Sequence, residues 1–449
     1  MEQPTYDFGA AEPVAEPVPE KKKTSLLTIG IIAAAAILVI VLICTLCGGG
    51  SEDVDYMFDQ GLVAVQQNGM WGYVNEKGEM KIPAMYQNAA PFAENGLARV
   101  RMGAKYGFID TKGQIVIQPI YAEAGNFNEY GLAPVMMDGS GKIGFIDDKG
   151  AYVVQPLYDN VGSFADNGLC AVGIDQMEKD ADGNDQEITR WGYINKKGKT
   201  VIATTYQSAG TFAENGLARV KLNDKWGFID AKGNVKIQTV YDVVGSFADN
   251  GLAYFGTTVQ QKDGDFEYET TKYGFIDEKG NVVIQAIYDD AYSFADNGLA
   301  MIEVKSETTD AEGRTETKYL TGYINAKGEQ VIAPTYEEAG SFGKNGLAPV
   351  RMTGENGKWG FIDKNNQFVI SPQYDDVEVF ADNDMALVEM NGKCGFVNKK
   401  GDMKIAAIYD DASAYYADGF AEVSVGGKCG VIDEKGNSVL SPIYDSINP

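Results

Sequence analysis

Histidine is absent from this 449-residue chain. That removes the commonest general base and the commonest protein metal ligand, and with them Ser/His/Asp and Cys/His acyl transfer. Cysteine is scarce: Cys44, Cys47, Cys170, Cys394 and Cys429 are too few for a disulfide framework. Positive charge is also short, with 38 Lys and Arg against 64 Asp and Glu, a formal net charge of −26. So acidic a surface repels phosphate backbones, which excludes nucleic acid as a partner and favours cationic ones. Walker and dinucleotide fingerprints are missing too. These absences lead us to expect a chain that is not an enzyme and holds no cofactor.

Uncharged runs are rare with one exception, Leu26 to Cys47, whose 22 residues reach roughly 33 Å as a helix, enough to cross a bilayer. The sequence therefore predicts a disordered cytoplasmic tail at 1–24, a single transmembrane helix at 25–47, a linker at 48–52 and a folded portion at 53–449. Lys21, Lys22 and Lys23 precede the run and no Lys or Arg follows it closely, so the N-terminus is expected in the cytoplasm and the rest outside. Cys44 and Cys47 read as small residues near a helix end, with acylation as the alternative.

What fills the folded portion is self-similarity. Units begin at Gly61, Gly96, Gly131, Gly168, Gly216, Gly251, Gly298, Gly346, Asp384 and Gly419, and a second glycine recurs from Gly72 to Gly430, giving ten units. From each second glycine to the next unit start is 24 residues in all nine cases, so this span tolerates no insertion. From unit start to second glycine the spacing is 11 in five units but 23 or 24 in units four, six and seven. Length variation confined to one connection marks an exposed loop on a fixed core. A typical unit reads as three strands, Leu97 to Met102, Tyr106 to Asp110 and Ile115 to Tyr121, because apolar residues alternate with period two. The turn glycine, as in Gly113, belongs at positive φ; one unit has Asn366 there, the residue next most tolerant of that region.

The predicted fold class is thus all-β: a tandem array of ten three-stranded β-meander repeats, open superhelical or propeller-like, preceded by one transmembrane α-helix. Since the chain starts with a first strand and stops after a third, no offset interlocks the ends, and an open or loosely closed array is expected. Every third strand ends in tyrosine: Tyr86, Tyr121, Tyr158, Tyr206, Tyr241, Tyr288, Tyr336, Tyr374, Tyr409 and Tyr444. A phenylalanine such as Phe92 follows six residues later. The expected role of these rings is the seam between units, with an aromatic platform for sugars or peptides as the alternative.

All four tryptophans, Trp71, Trp191, Trp226 and Trp359, directly precede the second glycine. With the context Lys225-Trp226-Gly227-Phe228-Ile229-Asp230, then Lys232-Gly233, Tyr241, Phe247 and Gly251-Leu252, the unit resembles the bacterial WG-repeat (KWG) family over residues 53–449. Tyr106, Ile143, Tyr273, Thr321, Cys394 and Cys429 stand where tryptophan departs from the pattern. The resemblance implies a β-repeat architecture with interaction roles and no catalytic site to carry over.

Candidate sites are few. Asp110, Asp230 and Asp363 open the hairpin turns and are expected to bond the turn backbone. Asp180-Ala181-Asp182-Gly183-Asn184-Asp185 begins like a calcium loop, but Asp185 occupies the position that needs glycine, so a hairpin tip is expected. Cys394 and Cys429 take equivalent places in adjacent units, with two free thiols as the default. The long insertions, residues 173–190, 255–272 and 303–320, read as extended hairpins. Asp180, Asp182, Asp185, Asp263, Asp265 and Glu312 are the candidate partner contacts. The expected function is a membrane-anchored extracytoplasmic protein-interaction scaffold with an unknown partner, for which the acidic surface favours a cationic one; the alternative is a cell-envelope glycan-binding module.

Overall fold

The computed structural model describes residues 56–179, 183–263, 266–309, 315–354 and 357–449, which fall in one compact unit. Every regular element among them is a strand. The three strands expected of each unit are present. In the second unit Leu97–Met102 pairs Lys105–Asp110 from Leu97↔Asp110 to Met102↔Lys105, and the latter pairs Ile115–Tyr121 through Tyr106↔Tyr121 and Phe108↔Ile117.

A fourth strand corrects the three-stranded reading. Asn88–Phe92 lies between the tyrosine of one unit and the first strand of the next, and pairs forward onto it through Asn88↔Arg101 and Ala89↔Val100. All ten sheets, or blades, have the order short strand, first, second, third. Several of these short strands span two residues, as in Glu123–Ala124, which is too brief to show a period.

That forward pairing also corrects the open array. The short strand of the first blade is Ser446–Asn448 from the C-terminus, through Ser446↔Gln66, Ile447↔Val65 and Asn448↔Ala64. Met57, fully buried, stands four residues before Gly61, where later blades have Phe92 or Phe127. It joins Phe58, Val65, Leu440, Tyr444 and Ile447 in one apolar cluster. The fold is a closed ten-bladed, propeller-like ring, sealed where the last blade meets the first.

No helix stands among the described residues, so none there is long and apolar enough to cross a membrane. The expected span at 25–47, with the tail and linker beside it, lies outside the described residues. The fold class is corrected to an all-β ring, with no helix among the described residues. The single-pass localisation is withdrawn: its span rested on the uncharged run and its two sides on Lys21, Lys22 and Lys23, and no helix among the described residues is long and apolar enough to cross a membrane.

Glycine at the second position is there for space. A Cβ on Gly107 would lie 2.6 Å from the Ile117 carbonyl oxygen and 2.7 Å from Pro119 N, because the second and third strands close up at a bulge. The turn glycines serve both conformation and contact. Gly113 has φ 79° and its added Cβ would meet Ile82 of the preceding blade at 3.1 Å; Asn366, at φ 63°, accepts the Tyr336 hydroxyl of the preceding blade at 2.6 Å. Gly78 faces Leu440 in the same manner, again joining last blade to first. Between blades a ring follows the glycine and meets the next unit's aromatic, as in Tyr73 with Phe92 and Phe228 with Phe247, both 4.8 Å apart and tilted.

Candidate interaction face

The first-to-second-strand hairpins leave one end of every blade, and the second-to-third turns leave the other. At the turn end, the first residue of the turn bonds forward: Asp110 Oδ1 accepts the N–H of Lys112 and Gln114, and Asp230 and Asp363 do the same. These turns are compact.

The hairpin end carries the variation. Leu169–Lys179 pairs Asp185–Asn195, Leu252–Asp263 pairs Phe266–Asp277, and Leu299–Thr309 pairs Thr315–Asn325, in unbroken ladders of 11 or 12 residue pairs. Blades 4, 6 and 7 thus extend well beyond their neighbours. Ladder-side contacts stiffen them: the Arg190 guanidinium grips Glu178, Gln260 donates to Glu269 at 2.7 Å, and Lys305 pairs Glu307 at 2.6 Å. Over residues 174–190, 257–272 and 304–320 the net charge is −7. Met177, Tyr268 and Tyr319 are exposed on them.

Of the candidate contacts, Asp185 is exposed and paired with Lys179 at 2.7 Å. Asp263 ends its strand. Asp180, Asp182, Asp265 and Glu312 lie outside the described residues.

A repeated clamp roots the hairpins, and sequence reasoning missed it. The aspartate after the strand-ending tyrosine, in Asp159, Asp242, Asp289, Asp375, Asp410 and Asp445, takes the ammonium of the lysine 17 residues earlier, Lys142 through Lys428. Its Oδ2 accepts a backbone N–H from the next blade's hairpin: Asp159 from Asp175 at 2.8 Å, Asp242 from Thr258 at 2.7 Å, Asp289 from Lys305 at 2.8 Å. Asp445 reaches Gly69 of the first blade, at 3.3 Å. A signal for it exists, since Lys before the tryptophan position and Asp after the tyrosine recur at one spacing. Such part-exposed ion pairs are individually weak; their use is to fix each hairpin root against its neighbour.

Lys393 with the Gly426 N–H, and Lys428 with the Gly69 N–H, hold the Asp410 and Asp445 carboxyls below their ordinary range. A depressed folded pKa contributes stability that is complete above the unfolded value of about 3.9 and is lost as pH falls through the folded one. Three other carboxyls run the opposite way. Burial, and then nearby carboxylates, raise Glu378; Glu422 is raised by burial and Asp411 against a hydrogen bond from Cys429. Glu303 is raised by burial and by Asp290, its direct cross-strand neighbour, although Tyr292 donates to it at 3.1 Å. A raised carboxyl costs stability once pH climbs through its folded pKa. Glu422→Gln is therefore expected to raise the urea midpoint at pH 7 and to leave it unchanged near pH 4, where glutamate at this site is itself neutral; equal gains at both pH values would rule out ionisation as the cause.

The ten tyrosines sit against the tryptophan positions, as in Trp71↔Tyr86 and Cys394↔Tyr409. Tyr86, Tyr121, Tyr158, Tyr206, Tyr288, Tyr336, Tyr374, Tyr409 and Tyr444 are buried; Tyr241 is half-buried with its ring 4.8 Å from Phe255. Burial raises the phenol pKa of all ten. Among the described residues Cys170, Cys394 and Cys429 form no disulfide, and the Cys170 thiol donates to the Gly162 carbonyl at 3.1 Å. Burial followed by Asp411 pushes Cys394 up to about 11, and burial with a bond to Glu422 pushes Cys429 up to about 12, which suppresses thiolate chemistry. Among the described residues no group of three or more Cys, Asp or Glu is placed to hold a metal ion.

No curated protein matches the chain. Similar solved structures include a eukaryotic initiation factor, at 11% identity over 87% of this chain and 97% of that one, TM-score 0.49. Two others are the Vibrio cholerae biofilm matrix protein Bap1 (13%, 87% and 82%, TM-score 0.22) and Kluyveromyces lactis Hsv2 (8%, 76% and 90%, TM-score 0.23). With TM-scores below 0.5 they bear neither on function nor on ring closure. The WG containing repeat model matches ten segments, 71–106, 106–140, 143–176, 191–226, 226–255, 273–306, 322–355, 359–394, 395–429 and 430–449. Each match begins at or beside the tryptophan position that lies over the buried tyrosine, and together they take in most of the ring, so the chain belongs to the WG-repeat family.

Proposed function

We propose that the ring is a protein-interaction scaffold, without catalytic activity of its own, that presents three hairpins to a cationic partner. The observation that carries this reading is that, among the described residues, blades 4, 6 and 7 alone grow ladders of 11 or 12 pairs, at one connection and on one end of the blades. Rigid projections of matched length on a clamped base lower the entropic cost of binding. Their net charge of −7 suits a basic surface. Glycan binding by stacking on the strand-ending tyrosines gains no support, because those rings are turned into the seams.

Trimming the three hairpins to the 11-residue spacing tests the proposal. Proteins retained by the intact chain and by the trimmed chain are identified by mass spectrometry at low and high salt. Basic partners lost at least tenfold on trimming, and released by salt, support it. Retention of the same partners by a trimmed chain with an unchanged melting curve overturns it.

A further inference from the structure

We infer that the third strand of blade 6, Val282–Tyr288, is a self-pairing edge through which two copies of this chain associate. Third strands end their sheets and are hydrogen-bonded on one side only. Open edges of this kind template pairing with other chains, and proline, lysine or a bulge on the edge is the usual guard. The bulge between second and third strands is common to all ten blades, so proline and lysine are what distinguish them. Six of the ten third strands contain proline, from Pro83 to Pro442, and two more contain Lys236 or Lys404. Of the remaining two, Thr200–Tyr206 in blade 4 exposes one large aliphatic residue, Val201, among threonines. Blade 6 is different. Its strand has neither proline nor charge and exposes Val282, Val283 and Ile287 at 43, 43 and 62%.

The pattern along this strand complements itself. Antiparallel pairing about a two-fold axis at Gln285 sets Val283 against Ile287 of the second copy, and the reverse, with the two glutamine amides facing at the centre. Two four-stranded sheets then continue as one of eight strands, and the same patch serves both copies, as an isologous contact requires. Charge selects the occupant. A chain of net charge −26 repels its own copy over most of its surface, and the uncharged edge is where two copies can approach. A cationic partner would gain nothing there. The contact is independent of the hairpin reading, because it uses the sheet edge and not the hairpin ends.

Sedimentation velocity of the full chain across a dilution series should show a monomer–dimer equilibrium. Ile287→Lys should weaken it at least about a hundredfold, by placing two lysines in the shared sheet. Ile120→Lys, the same change on the proline-guarded blade 2, should leave it unaltered. The register is read separately: Gln285→Cys should form an intermolecular disulfide across the axis and Val283→Cys should not. This also covers an Ile287→Lys variant that fails to fold. A wild-type chain that stays monomeric at every concentration overturns the inference, as does a dimer indifferent to Ile287→Lys, or equal cross-linking from both cysteine variants.

Discussion

Gly227→Val is expected to destabilise the ring by about 3 to 5 kcal/mol, measured as a fall in urea midpoint at unchanged slope. A Cβ on Gly227 would stand 2.5 Å from the Ile237 carbonyl oxygen and 2.7 Å from the carbonyl carbon and oxygen of Gln238. All three atoms are backbone, so no side chain can rotate away. The strands meet so closely because the register slips between the Trp226↔Tyr241 and Phe228↔Ile237 pairs. Conformational strain is not the source, since Gly227 lies outside the left-handed region. Gly183→Ala separates the two effects: that site has φ 83° and open space around the added atom, and should cost about 1 to 2 kcal/mol from strain alone. A loss at Gly227→Val no larger than at Gly183→Ala would show that the close approach relaxes freely.

Deleting Asp445–Pro449 should reduce hydrogen-exchange protection in Leu62–Gln67 by roughly a thousandfold, equivalent to about 4 kcal/mol of local opening. The deletion removes three kinds of contact at once. The pairing of Ser446–Asn448 with the first strand goes, as does the bond from Asp445 to the Gly69 N–H. So does buried Ile447, together with the Asn448 amide donated to the Ala89 carbonyl at 2.8 Å. Blades 4 to 6 share none of these contacts and should keep their protection. Uniform loss across all ten blades would show that the ring opens as one unit; no loss at all would mean that the C-terminal strand does not close it.

Much of this architecture is legible in the sequence. Period-two alternation in Leu97 to Met102 places the first strands, and the invariant spacing of 24 residues marks the packed span. The 12 or 13 added residues in units four, six and seven read as hairpins because they alternate β-formers around Gly183, Gly264 and Gly313. The short strands are not legible. Two residues such as Val243–Val244 carry no period, and their pairing is decided by the neighbouring unit. Ring closure is hidden for the same reason, since Asp445 to Pro449 has the look of a trailing end. The clamp is readable in principle, but Lys225 passes for part of a motif and Asp242 for a turn residue until their 17-residue separation brings them together.

The seal between last and first blade changes how the repeat number is held. An open solenoid can gain or lose a terminal unit with little effect on the rest, because end units touch a single neighbour. Here Asp445 fastens the Gly69 backbone, Leu440 packs on Gly78 and Ile447 lies across Val65, so every unit has a neighbour on both sides. A duplicated or deleted unit would alter the angle between all successive blades before the ends could meet. Ten is therefore a geometric constant of this ring, and length variation between its own units is channelled into the hairpins, where blades 4, 6 and 7 carry it.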